Sequence, residues 1–271
     1  MSLAAISFFG QASAVKHTPA AGPHEGSTVA DEAAKANAPP PKIIVIGFVG
    51  GYVHADDATH TGVQLAARIR GDFPSGAYIN TFANHNGEDA HQAVLRALDV
   101  NHDGQLTAAE KRNARIVIYG HSWGASETVT LADALNRDGI PVLLTIQVDS
   151  VMKRGENDAV IPPNVAQAVN YYQTDGRLHG RSVIRAADPK RTDVIGNFRW
   201  TYGKKPIACE AAYPWWDRLV MQQHLEIECD PKLWNEMEQL IRATLNANNR
   251  AKPDSSAASA SVVRANRDPA Q

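Results

Sequence analysis

Short apolar runs alternate with amphipathic stretches between residues 42 and 245. Lys42 to Gly47 (K-I-I-V-I-G) is an unbroken apolar run and predicts a buried strand. A Gly-rich turn, Phe48-Val49-Gly50-Gly51-Tyr52, follows it. Thr61 to Arg70 has helical periodicity, Ala77 to Phe82 reads as a strand, and Asp89 to Leu98 reads as a second helix. Arg115 to Tyr119 predicts the third strand, Ala125 to Leu135 a helix closed by Asp138-Gly139, and Ile140 to Val148 the fourth strand. Val165 to Tyr172 predicts a fifth. Pro231 to Leu245 is an amphipathic helix with Leu233, Trp234, Met237, Leu240 and Ile241 on one face. Strands alternating with helices, with apolar rather than alternating strands, predict an α/β fold. Its sheet would be mostly parallel and doubly wound, with helices on both faces.

Outside these limits the pattern disappears. Residues 1–41 begin with a short apolar run, Leu3 to Gly10, followed by Ala12-Ser13-Ala14, which resembles a signal cleavage site. No Lys or Arg precedes that run. The reading favours export, to a periplasm or the extracellular space, with a cytoplasmic protein as the alternative. Residues 15–41 are rich in Ala, Pro and Gly and predict a linker. Residues 247–271 predict a disordered tail, leaving 42–246 as the folded domain.

Composition narrows the function classes. The chain has 271 residues, 44% hydrophobic and 21% charged, with a net charge of −2, so it offers no basic footprint for nucleic acid. No apolar stretch is long enough to span a membrane. The two cysteines, Cys209 and Cys229, flank His224, and in an exported protein they predict one disulfide.

The run R-I-V-I-Y-G-H-S-W-G-A-S carries the chemistry. It contains G-x-S-x-G as Gly120, His121, Ser122, Trp123 and Gly124, between a predicted strand and a predicted helix. That context makes Ser122 the candidate nucleophile of a sharp strand-to-helix elbow. Here the chain resembles the α/β-hydrolase superfamily over residues 42–245, with V-I-Y-G-H-S-W-G-A-S in the form typical of its esterases, lipases and thioesterases. The superfamily usually has two further strands before the Lys42 strand, so the sheet is expected to be reduced at that edge.

The resemblance implies further residues. A serine hydroxyl needs a base, and the base needs an orienting acid. The superfamily order is nucleophile, acid, then histidine, and only His179 and His224 follow Ser122. His224, in Q-Q-H-L-E-I-E shortly before the last helix, is the candidate base; His179 sits in a turn too early in the topology. Asp149, at the end of the fourth strand, is the favoured acid. Asp175 is the alternative from the next strand, with Asp188 and Asp193 placed in a following loop. The oxyanion hole would use the backbone N–H of Trp123 and one from the turn near Phe48 and Val49. Trp200, Tyr202, Tyr213, Trp215 and Trp216 could line an acyl pocket or belong to the core.

A second motif is independent of the first. Residues 99–110 (D-V-N-H-D-G-Q-L-T-A-A-E) fit the EF-hand calcium loop at every fixed position. Asp99, Asn101, Asp103, the Gln105 carbonyl and Glu110 are the candidate ligands, Thr107 holds the often water-mediated position, and Leu106 packs the loop. A structural calcium is expected, and no organic cofactor. The leading function is a serine hydrolase acting on a small-molecule ester or thioester. The alternatives are a non-catalytic calcium-binding scaffold on the same fold, or an acyltransferase using the same residues.

Overall fold

The first apolar run becomes β1 (Lys42–Val49), two residues longer than the pattern predicts and buried from Ile44 onward. The computed structural model describes residues 42–73, 75–203, 207–209, 213 and 215–247. The leader, the whole linker and the tail beyond Ala247 therefore lie outside the described residues. So do the side chains of Trp215 and Trp216.

The chain continues through α1 (Thr61–Asp72), β2 (Tyr78–Ala83), α2 (Gly87–Leu98) and the short α3 (Ala108–Arg112). It then forms β3 (Ala114–His121), α4 (Trp123–Arg137) and β4 (Val142–Val148). After these come β5 (Val160–Ile161), β6 (Val165–Tyr172), β7 (Arg185–Ala186) and β8 (Asp193–Arg199). Two helices close the domain, α5 (Trp215–Cys229) and α6 (Pro231–Ala247). Among the described residues the main sheet has six strands in the order β2-β1-β3-β4-β6-β8, and every pairing is parallel. β5 and β7 form a separate two-stranded pair. Among the described residues β2 is one edge of this sheet and β8 the other; the residues before β1, on which the expected reduction of the sheet turns, lie outside them.

The central strands show why the run pattern works. All of β3 is buried, and its side chains divide between two cores by the two-residue period of a strand. Val117 and Tyr119 join Leu65, Ile69, Leu240 and Ile241 on the face covered by α1 and α6. Ile116 and Ile118 join Val94, Leu98, Val129 and Leu135 on the face covered by α2 and α4. Each fully buried Ile, Leu or Val contributes about 1.5–3 kcal/mol relative to exposure, so two filled faces hold the sheet in place.

The apolar pattern does not predict β5, β7, β8 or α5. β8 was expected to be loop, yet Asp193 opens it. The Q-Q-H-L-E-I-E segment lies inside α5, not in a connection before the last helix. Leu225, Glu226, Ile227 and Glu228 are all buried, so this turn of α5 has no polar face to mark a helical period. α5 is irregular at Met221 (φ −125°, ψ 22°). α6 follows almost at once: Asp230 accepts the Lys232 N–H at 2.9 Å and Pro231 opens the helix, a favourable start for both residue types.

Candidate active site

β3 ends at the nucleophile elbow. Ser122 has φ 58° and ψ −125°, a region non-glycine residues rarely enter, and holding it there costs about 1–3 kcal/mol. The neighbours enforce it. A Cβ on Gly120 would lie 2.3 Å from the Gly124 oxygen, and one on Gly124 would lie 2.4 Å from the Phe48 oxygen. Strand, elbow and β1 therefore close on one another only without side chains at those two positions. Ser122 N–H donates to the Val148 carbonyl at 3.0 Å, which ties the elbow to the end of β4.

The structure brings three sequence-predicted side chains together. His224 Nε2 is 2.8 Å from Ser122 Oγ, and His224 Nδ1 is 2.7 Å from Asp149 Oδ2. All three residues are buried. Asp149 leaves β4 with φ 43° and is held by four donors. Oδ1 accepts from Gly180 N–H at 2.7 Å and Gln173 N–H at 3.2 Å. Oδ2 accepts from Gln173 Nε2 at 2.8 Å as well as from His224. Burial alone would raise the Asp149 carboxyl. The hydrogen bond and charge of His224, then Gln173 and Gly180, outweigh it and hold the group below the ordinary carboxylate range.

The rival acids go elsewhere. Asp175 accepts from Arg199 at 2.7 Å and from the Tyr202 N–H at 3.0 Å. Asp188 caps a turn through the Lys190 N–H, and Asp193 is exposed at the start of β8. His179 Nδ1 lies 3.3 Å from the Gly180 carbonyl, away from Ser122. Gln173 and Gly180 had no sequence signal. A glutamine after a strand and a glycine in a turn are ordinary surface residues until the acid's second oxygen is located.

At the other side of the elbow, a Cβ on Gly50 would lie 2.8 Å from Ser122 Cβ, so the turn after Phe48 and Val49 is against the nucleophile. The Trp123 N–H opens α4 and has no acceptor within its own helix. Tyr52 is exposed and meets the Trp123 ring edge-on, centroids 5.8 Å apart. Trp200 and Tyr202 pack against the core rather than around Ser122.

A buried polar cluster adjoins the site. Glu228 Oε1 is 2.8 Å from His60 Nδ1, Tyr213 donates to its other oxygen, and His121 Nδ1 is 3.4 Å away. Burial, the largest influence, pushes the His121 imidazole down to about 4. Burial would also lower His60, but the hydrogen bond and charge of Glu228 and the charge of Asp57 raise it above its usual value.

These shifts set an acid limb of stability. The unfolded chain protonates His121 near pH 6.5 and the folded chain only near 4. Between those values the unfolded state binds more protons, so stability falls as pH falls, by about 3 kcal/mol in all. Asp149 adds a loss in the same direction as pH drops through its depressed value. His60 acts in the opposite window: its contribution is complete below pH 6.5 and is lost as pH rises through its raised value. Urea unfolding from pH 4 to 7 should show this rise; a flat profile would contradict it.

The calcium-loop residues form a helix–loop–helix. α2 ends at Leu98, α3 starts at Ala108, and Gly104 has φ 78°. Asp99 accepts the Asp103 and Gly104 N–H groups at 3.2 and 2.9 Å. Asp103 accepts from Gln105 N–H at 2.7 Å and Asn101 Nδ2 at 2.9 Å. Glu110 closes a capping box with Thr107 and also accepts the Val100 N–H at 3.0 Å. The donors are the hard oxygens calcium requires. Their carboxylates face backbone N–H groups, and among the described residues no three His, Cys, Asp or Glu side chains close on one point. A disulfide joins Cys209 to Cys229, with Cα atoms 5.2 Å apart. No described helix is long and apolar enough to cross a membrane.

A parallel sheet in this order, with a strained serine at the strand–helix junction, is an α/β fold of the α/β-hydrolase type. Solved structures of similar chains are esterases and cutinase-like proteins. One is a variant of the esterase rPPE, 19% identical, aligned over 44% of this chain and 38% of that one, with a TM-score of 0.30. A thermostable esterase from Pseudomonas putida is 12% identical over 75% of this chain and 74% of its own, with a TM-score of 0.39. A cutinase-like protein from Cryptococcus sp. is 14% identical over 76% and 95%, also at 0.39. The fold assignment rests on the sheet order and the elbow, not on these likenesses. No protein-family model matches the chain, and no curated protein is similar to it.

Proposed function

We propose that the protein is a serine hydrolase that cleaves a carboxylic ester or thioester through an acyl-enzyme on Ser122. The observation that carries this reading is the continuous hydrogen-bonded line from Ser122 Oγ through both His224 nitrogens to Asp149. Ser122 Oγ attacks the acyl carbonyl while His224 Nε2 takes its proton; the same nitrogen then returns the proton to the leaving group. Asp149 accepts the Nδ1–H, fixing the tautomer that leaves Nε2 free to act as base. The Trp123 N–H and one N–H from the turn after Phe48 and Val49 would receive the developing oxyanion. Water, activated by the same His224, releases the acid. A strained backbone at the nucleophile and a fully satisfied Asp149 favour this over a non-catalytic scaffold, which needs neither. Activity against nitrophenyl esters and acyl thioesters of graded chain length tests the reading. Hydrolysis that saturates and is lost in His224→Ala supports it, and none against any of them would overturn it.

Calcium at Asp99–Glu110 belongs to the same reading, as a structural ion remote from the chemistry. The loop feeds the amino end of β3, whereas Ser122 leaves its carboxyl end, eight residues and about 26 Å along the strand. Binding would draw Glu110 from its Thr107 cap. The melting temperature should therefore rise with free calcium, by about 2.7 kcal/mol of stability at a hundredfold excess over the dissociation constant. Glu110→Gln should lower the calcium-free melting temperature, because its NH2 must meet either the Val100 N–H or the Thr107 donors, and should flatten the calcium dependence. A melting curve indifferent to calcium and chelator in the parent chain would remove the site. Export is the remaining part of the reading, supported by the Cys209–Cys229 bond, since disulfides persist in oxidising compartments.

A further inference from the structure

We propose that His121 is a positioning residue that holds the backbone of His224 against the elbow. This rests on the reading of Ser122 and His224 given above.

His121 Nε2 is 3.1 Å from the His224 carbonyl oxygen, and the two rings lie 4.6 Å apart at 34°. A carbonyl only accepts, so Nε2 of His121 carries the proton and donates it. The neutral ring then turns its Nδ1 lone pair to Glu228, which accounts for a separation of 3.4 Å rather than a normal hydrogen bond. His121 immediately precedes Ser122, so a single hydrogen bond sets the backbone of the base relative to that of the nucleophile.

Glu228 lies beside this contact on the same helix. It lies one turn beyond His224 on α5 and is buried. A buried carboxylate needs donors, and it has them from two neighbouring elements, His60 before α1 and Tyr213 before α5. His60 lies between two carboxylates, 2.8 Å from Glu228 and 3.7 Å from Asp57. The groups facing His121 are thus Glu228 and His224, with the Asp149 charge beyond them. The hold is needed because α5 departs from helical geometry at Met221, just before His224, and the preceding turn cannot fix the base by itself.

Two variants test this: His121→Leu, which deletes the donor, and His121→Gln, whose amide can restore it. Misplacing a catalytic group by about 1 Å costs on the order of 100-fold. His121→Leu should lower kcat by roughly 10- to 100-fold with KM within about twofold, and His121→Gln should recover most of it. Melting temperatures separate this from general loss of stability. If His121→Leu and His121→Gln melt alike and turn over alike per folded molecule, or if His121→Leu keeps parent kcat, the proposal is overturned. If the parent chain hydrolyses nothing, the Ser122 reading has failed, and proton NMR still decides the positioning. The His224 Nδ1 proton, bonded to Asp149, should exchange with solvent faster in His121→Leu and return to the parent rate in His121→Gln. Unchanged exchange in both would overturn the proposal.

Discussion

Ser122→Ala is expected to abolish ester hydrolysis, by about 10⁴-fold or more, because nucleophile, base and acid act as a unit. The fold should survive. Alanine and serine pay a similar cost at φ 58°, and the Ser122 backbone bond to Val148 is untouched. Among the described residues the side-chain interaction removed is the one to His224 Nε2. A melting temperature near that of the parent with activity at background is the predicted pair of results. Turnover within tenfold of the parent would exclude Ser122 as the nucleophile.

Asp149→Asn should be nearly as severe, on the order of 10⁴-fold in kcat. All four groups facing the carboxylate are donors: Gly180 N–H and Gln173 N–H at Oδ1, Gln173 Nε2 and His224 Nδ1 at Oδ2. A carboxamide offers one acceptor and one donor, so either way two donors meet an NH2 group. If the NH2 faces His224, the imidazole must take the tautomer that cannot act as base. If it faces Gly180, buried N–H groups lose their partner, costing about 1–3 kcal/mol. The variant should therefore lose both rate and stability. Asp175→Asn should stay within a few-fold of the parent, because Asp175 serves Arg199 and the Tyr202 N–H. A dead Asp175→Asn beside an active Asp149→Asn would assign the acid to the next strand and contradict this geometry.

The parts legible in the sequence are those where one physical demand dominates. β1, β3 and β4 are covered on both faces, so burial writes itself as an apolar run, and the elbow needs two residues without side chains around a serine. Asp149 was legible for a weaker reason: a carboxylate ends an apolar strand. The rest depends on contacts made far apart in the chain. β8 is an edge strand interrupted by Gly196, with a register irregularity opposite Ala168 and Val169. The alternating Leu225-Glu226-Ile227-Glu228 hides a helix turn because both glutamates are buried by partners outside that segment. His121 occupies a variable position of the elbow motif, and its role emerges only when α5 brings the His224 carbonyl to it. The aromatic residues after β8 were equally consistent with pocket and core, and Trp200 and Tyr202 pack on the core.

The most direct measurement is covalent trapping. The protein is treated with a fluorophosphonate, and the modified peptide is mapped by mass spectrometry in the parent chain, Ser122→Ala and His224→Ala. One adduct on Ser122 is predicted in the parent, none in Ser122→Ala, and a much slower reaction in His224→Ala, since the hydroxyl then lacks its base. A parent chain that takes no adduct, or takes it on another serine with Ser122 unmodified, would contradict the assignment of this site as a serine hydrolase.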